Sequence, residues 1–316
     1  MKGGIVAVVV AHDRRELLAR TLDGIAAQLR PPDSVLVIDN ASVDGSGDFA
    51  RLHPLAPRVV TLLSNYGGAG GFAAGIALAI ADYHAELVWV MDDDTIPDPG
   101  ALAALVRARE GYPGQVAVCA SRAVWHDGRE HPMNAPRERF AVCPRLRRHA
   151  EGVGAIQIRS ASFVSILIDA RAIRESGLPV ADYFLWNDDF EYTTRLLRGR
   201  VGLYVPASRV LHATKEFGGS SFNPGPRFYN EVRNKVWMFG HSRSLSPIEK
   251  MLYGGRSLGR WAGLLFRSPE RRELARTAVR AFRDGRIPPR TSVETLAGTP
   301  AESAARLVDS GVRDRR

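Results

Sequence analysis

Three consecutive carboxylates, Asp92, Asp93 and Asp94, end the apolar run "VWVM". Like charges at a strand end repel one another and cost stability unless something cationic sits among them. A second acidic pair, Asp188 and Asp189, stands in "WNDDFEY", and His212 closes "SRVL". Carboxylate oxygens hold hard divalent cations such as Mg2+ or Mn2+, and such a cation carries a diphosphate and neutralises a phosphate leaving group. A separate carboxylate can take a proton from an attacking hydroxyl. The plainer alternatives are an Asp-rich turn after the strand and, for Asp188 and Asp189, an N-cap with favourable first-turn charge. A lone histidine is most often structural, so only proximity to Asp94 would make His212 a ligand.

The surrounding elements decide between these readings. "IVAVVVA" (5–11), "SVLVIDN" (34–40), "VVTLLSN" (59–65) and "LVWVM" (87–91) are continuous apolar runs, the pattern of strands covered on both faces. Helices alternate with them. The first has Asp13 and Glu16 as a capping box and a stripe of Leu18, Leu22 and Ile25. A buried helix covers 70–84, and a third is capped by Asp98, opened by Pro99 and ended by Gly111. This rhythm implies an α/β fold with a mostly parallel sheet flanked by helices. Ligands of such sheets bind beyond the carboxyl ends of the strands, so Asp39, Asn65 and the acidic triplet converge on one rim. "NYGGAGGFAAG" (65–75) lies outside the first βα turn and lacks the Lys-Ser/Thr of a P-loop. A phosphate cradle and close helix–sheet packing fit it equally.

Further on, a strand is expected over 114–125 and a mobile loop or small hairpin over 126–152. A strand and short helix follow over 160–177, a loop entering a helix over 183–199, and a strand pair over 201–214. Ser246 and Glu249 cap a helix that Gly254 and Gly255 interrupt, and Ser268 and Pro269 open another. The expected organisation is a catalytic domain (1–240), a basic amphipathic helical appendage (241–290) and a weakly ordered tail (291–316).

The net charge of +9 is concentrated: residues 227–290 carry 15 Lys/Arg against 5 Asp/Glu, and the remainder is nearly balanced. Such a segment fits an anionic partner, whether a membrane surface, a phosphorylated lipid or nucleic acid, whereas a charge run alone more often marks a solvated face. Trp261 and several leucines lie among these arginines, which favours an interfacial helix on an anionic membrane. No apolar run approaches the length of a membrane span. Cys119 and Cys143 lack metal-ligand spacing and are too few for a disulfide framework. No nucleic-acid partner is expected, and oligomeric state is not legible.

Taken in order, "VVVAHDR", "VLVIDNASVDGS", "SNYGGAGGF", "VWVMDDD", "WNDDFEY" and "RVLHAT" resemble an inverting family-two glycosyltransferase of the GT-A fold, over residues 4–240. They are most similar to the galactofuranosyltransferases of cell-wall galactan assembly, with rhamnosyltransferases using dTDP-rhamnose second. The resemblance implies UDP-sugar as donor and a divalent metal, Mn2+ or Mg2+. It implies that Asp39 and the backbone around Ala11 meet the uracil, and that Arg14 and Asn65 lie near base, ribose or diphosphate. Asp92, Asp94 and His212 would hold the metal, with Asp93 by the ribose or donor sugar. Asp189 would be the base and Asp188 its acceptor-binding neighbour. The tryptophan stands one residue further from the acidic pair than in the polymerising relatives, and the extra domains of that polymerase are missing. A lipid-linked polyprenyl diphosphate glycan would be the acceptor, met by Arg227, Arg233 and Lys235. The protein would lie in the cytoplasm, peripheral on the inner face of the membrane. A non-catalytic sugar-nucleotide-binding protein, and a nucleotidyltransferase or NAD-dependent enzyme on a similar sheet, are the rival readings.

Overall fold

A computed structural model describes residues 4–217 and 225–313. The first half alternates β1 (Ile5–Ala11), α1 (Arg15–Ala26), β2 (Ser34–Asp39), α2 (Ser46–Leu52), β3 (Arg58–Thr61), α3 (Gly67–Ala81) and β4 (Leu87–Asp92). The second half comprises β5 (Thr95–Pro97), α4 (Ala101–Gly111), β6 (Val116–Val124), β7 (Arg137–Glu138), α5 (Pro144–Glu151), β8 (Ile156–Ser160), β9 (Ile166–Asp169), α6 (Ala170–Ser176), α7 (Asp188–Leu196) and β10 (Val201–His212). Five helices follow: α8 (Phe228–Gly240), α9 (Pro247–Arg267), α10 (Arg271–Asp284), α11 (Ser292–Thr295) and α12 (Glu302–Arg313).

The strands form one mixed sheet in the order β3-β2-β1-β4-β9-β6-β10-β8-β7, with β5 pairing β10. Pairing from β3 to β4 is parallel, and β9 runs antiparallel between β4 and β6. Side chains of β1 alternate between two cores. Val6, Val8 and Val10 face α3, and Ile5, Ala7 and Val9 join the layer of α1 and α4. Both faces are therefore dry, which is why these strands read as unbroken apolar runs.

Several expectations are corrected. Asp13 does not cap α1. It sits at φ +50° and its carboxylate accepts from Val43 N at 2.7 Å, while Arg14 takes the N-cap position. Gly100 rather than Asp98 is the N-cap of α4. The strand pair expected over 201–214 is a single strand, β10, with a register shift between Val205 and Arg209. Pro206 lies in that shift, where the missing N–H breaks no ladder bond. Helix α9 runs unbroken through Gly254 and Gly255 and begins with the expected Ser246–Glu249 capping box. The tail is not weakly ordered over its described part. Leu296, Ala301, Ala304, Ala305 and Val308 are buried in the core with α3. Its small side chains let α12 approach the equally small-faced α3, a contact that leaves little hydrophobic pattern in the sequence.

Candidate active site

The parallel register sets the rim. Ala11 pairs with Asp39, and Val10 pairs with both Ile38 and Asp92. The ends of β1, β2 and β4 are thus level, and the turns beyond them meet. Asp93 accepts from His12 N at 2.9 Å and from Arg14 Nη1 at 3.2 Å, and Arg14 Nη1 also donates to Asp94 Oδ2 at 2.6 Å. Behind the triplet, Thr21 Oγ1 donates to the Asp93 carbonyl at 2.8 Å.

His212 reaches this rim because β10 pairs antiparallel with β5, with His212 opposite Thr95. Its Nε2 stands 3.2 Å from Asp94 Oδ1. The oxygen is nonetheless buried without a hydrogen-bond donor. Nδ1 of the same ring lies 2.8 Å from Asn134 Oδ1. Ligand atoms of Asp92, Asp94 and His212 all lie within 4.8 Å of one another. Burial and then repulsion by Asp94 and Asp93 hold the Asp92 carboxyl well above its ordinary range. Burial pushes Asp94 up as well, but His212 and Arg14 outweigh it and bring that carboxyl below the ordinary range. Two carboxylates, one of them with an orphaned buried oxygen, and an imidazole are a donor set that suits a divalent ion.

Asp39 is buried, its Oδ1 accepting from Ser42 N at 3.0 Å and its Oδ2 from Thr61 Oγ1 at 3.0 Å. The Ala11 carbonyl accepts from Asn40 N at 2.8 Å. Asn65 is held from both sides. Its Oδ1 accepts from Asn40 Nδ2 at 3.1 Å and from Gly67 N at 2.7 Å, and its Nδ2 lies 2.9 Å from His12 Nε2. This network folds the glycine-rich turn under the rim.

The glycines of that turn serve close packing. A Cβ on Gly67, at φ +69°, would stand 2.0 Å from the Phe184 carbonyl oxygen, and one on Gly71 would stand 2.4 Å from Val10 Cγ1. Phe184 begins a strained loop in which Phe184, Trp186 and Asn187 all have positive φ, at 63°, 71° and 65°. Bulky residues adopt this conformation only when the surroundings impose it. Asn234 of α8, fully buried, does so: its Nδ2 donates to the carbonyls of Tyr183, Leu185 and Trp186 at 2.9, 3.0 and 2.7 Å. The loop delivers Asp188 and Asp189 at the N-terminus of α7, where the helix dipole favours negative charge.

Burial and then the Asp189 charge push Asp188 up to about 8. Burial pushes Asp189 up to about 6, opposed by the Phe190 N–H and by Arg137. Asp188 is close enough to Asp92 to add to its upward shift. Asp188 therefore lies near the cluster of triplet and histidine. Sequence reasoning missed His12, Asn40, Asn134 and Arg137. Asn40 had a signal, an Asx residue directly after a strand. Asn134 and Arg137 had none, lying in a stretch without periodicity.

The family model for Glycosyl transferase family 2 matches residues 6–170, about half of the chain. A galactofuranosyltransferase, GlfT1 of Mycolicibacterium smegmatis, is 30% identical over 272 residues, covering 79% of this chain and 88% of that relative. The chain belongs to glycosyl transferase family 2. Among members of family 2, GlfT1 of Mycobacterium tuberculosis H37Rv is 33% identical over 208 residues, which span 63% of this chain and 66% of the relative, just under two thirds. S. aureus TarS 1–349, solved with UDP-GlcNAc, superposes with a TM-score of 0.60 at 16% identity, covering 98% of this chain and 89% of that one. At that identity the likeness is one of fold, and it is the GT-A fold.

Proposed function

We propose that the protein is a metal-dependent, inverting glycosyltransferase that moves galactofuranose from UDP-galactofuranose to a hydroxyl of a lipid-linked glycan. The carrying observation is the cluster of Asp92, Asp94 and His212, whose ligand atoms lie within 4.8 Å of one another, with the Asp188 carboxylate near enough to act on Asp92. The donor assignment is supported by the GlfT1 relatives.

In this reading Asp39 and the backbone around Ala11 receive the uracil, and Arg14 and Asn65 lie toward the ribose and diphosphate. Asp93 stands by the ribose or donor sugar. A divalent ion held by Asp92, Asp94 and His212 would supply positive charge for the donor diphosphate. Asp189, the less strongly raised of the acidic pair, is ionised at neutral pH and takes the acceptor hydroxyl proton. The acceptor oxygen bonds to the anomeric carbon as the bond to the UDP oxygen breaks on the opposite face, which inverts the configuration. Asp188 keeps its proton at neutral pH and donates a hydrogen bond to the acceptor.

Among the described residues no helix is long and apolar enough to cross a membrane. Ile248, Met251, Leu252, Leu258 and Phe266 are exposed along α9, beside Lys250, Arg256 and Arg267. This face supports peripheral attachment to the anionic inner leaflet.

The test is UDP release and sugar transfer from UDP-galactofuranose, with dTDP-rhamnose in parallel, across a panel of alkyl glycoside acceptors with and without Mn2+. Turnover of UDP-galactofuranose alone is expected. Turnover of dTDP-rhamnose alone would reassign the donor, and UDP binding without turnover on any acceptor would sink the enzymatic reading.

A further inference from the structure

We propose that Arg137, Lys235 and Arg260 form an anion subsite beside Asp189, which takes a phosphate or diphosphate group carried by the acceptor. The proposal rests on the transferase reading above and names how its acceptor is held.

The three cations come from β7, α8 and α9; Lys235 and Arg260 share the Glu231 carboxylate, and Arg137 is near enough for its charge to act on both. Lys235 Nζ lies 2.9 Å from Glu231 Oε1 and 3.1 Å from Ser257 Oγ. Arg260 donates to the same Glu231 oxygen. Asn187, from the strained loop, donates to Glu231 Oε2 at 2.9 Å, which ties the cluster to the acidic pair. The Arg137 guanidinium stands 4.5 Å from the Phe190 ring centroid and 5.2 Å from that of Tyr253. Among the described residues no carboxylate lies within ion-pair distance of Arg137.

The cluster thus carries three positive charges against Glu231 and the nearby Asp189; Arg137 and Arg260 are exposed, whereas Lys235 and Glu231 are largely withdrawn from solvent. The side chains of Lys235 and Glu231 are 13% and 11% exposed. Burial and the charge of Arg137 push Lys235 down to about 8, and the same two causes lower Arg260. The excess of positive charge beside the largely buried Lys235 is relieved by an arriving anion. Two guanidinium forks and an ammonium fit phosphate oxygens. Phe190 adjoins Asp189, and Arg137 acts on the Asp189 carboxyl. A phosphate seated here would leave the glycan it carries pointing its hydroxyl at that base. Of the other cations considered for this role, Arg233 is already engaged. It donates to the carbonyls of Asp182 and Tyr183 and stacks 4.1 Å from the Trp237 ring centroid.

The test is calorimetry with geranyl diphosphate and inorganic pyrophosphate in EDTA, on the full chain and on Arg137→Gln and Arg260→Gln. UDP with Mn2+ is titrated separately. Both diphosphates should bind the parent protein, and each variant should weaken them about tenfold, the loss of one charge-assisted contact. UDP affinity should not change. Because Arg260 also pairs with Glu231, the exposed Arg137 variant carries the decision if Arg260→Gln unfolds. Diphosphate binding that is absent, or equal in parent and Arg137→Gln, overturns the subsite while intact UDP binding leaves the transferase reading standing. Failure of the parent to bind UDP removes both. Flotation with phosphatidylglycerol vesicles separates a lipid headgroup from an acceptor phosphate. Lost flotation in Arg137→Gln with unchanged geranyl diphosphate affinity would assign the cations to the headgroup and overturn the proposal.

Discussion

Asn134 Oδ1 lies 2.8 Å from Nδ1 of His212, and its Nδ2 donates to Ser162 Oγ at 3.2 Å. With Nδ1–H given to that amide oxygen, Nε2 turns a lone pair toward Asp94 Oδ1, 3.2 Å away. In that tautomer two acceptors face each other, an arrangement that a cation relieves. Asn134→Ala is expected to weaken Mn2+ binding about 10- to 100-fold, as losses behind a metal-binding histidine do. Titration of Mn2+ in the presence of UDP measures it, and EDTA should lower UDP affinity in the parent protein. Equal Mn2+ affinity in Asn134→Ala would mean that the amide does not set the ring.

With the roles proposed for the acidic pair, transfer is expected to depend on pH. The Asp189 carboxyl is raised to about 6 by burial, so its base form is lost as pH falls through that value. Transfer under subsaturating conditions should therefore rise with pH through about 6. Asp189→Asn should remove about 10²- to 10⁴-fold of transfer while UDP still binds. A larger loss in Asp188→Asn than in Asp189→Asn would reverse the two assignments.

Gly67→Ala tests whether the glycine-rich turn is a packing device. Its Cβ would meet the Phe184 carbonyl at 2.0 Å, on a residue already at φ +69°. Backbone strain of this kind costs about 1–3 kcal/mol. Urea denaturation should show that loss, and transfer should fall further because the Phe184 loop positions Asp188 and Asp189. Unchanged stability would mean that the loop moves aside freely.

The C-terminal helices should matter to the whole fold. Leu296 is fully buried against the α3 layer, so Leu296→Ala is expected to cost about 2–5 kcal/mol. Asp309 Oδ1 also accepts from Leu178 N at 3.0 Å. Truncation after Arg290 should lower the melting temperature of the entire protein or abolish soluble expression. A truncated protein melting like the parent would show the packing to be dispensable.

What could be read from the sequence follows from how each part is held. The strands β1, β2 and β4 are buried on both faces, so apolar runs mark them and the polar residues that end them mark the rim. Asp92, Asp94 and His212 were legible as separate residues, but their meeting depends on β5 pairing with β10, a contact with no local signal. Gly254 and Gly255 cost α9 about 1 kcal/mol each relative to alanine, and the packing of Trp261, Leu264 and Leu265 against α8 and α10 offsets it. Helix α12 hides because alanines make its contact. Arg137 and Asn134 gain their places from tertiary contacts of a stretch that shows no period.

The register shift in β10 has one more consequence. A strand places alternate side chains on opposite faces, so a slip of one residue reverses them all. The irregularity between Val205 and Arg209 decides on which side His212 emerges. Asp94 and His212 therefore come within reach only in a correctly threaded sheet, so a metal that needs both would bind that state and not its mispaired competitors. By mass action such an ion would act as a proofreader of strand threading, withdrawing the one correct arrangement from the folding equilibrium.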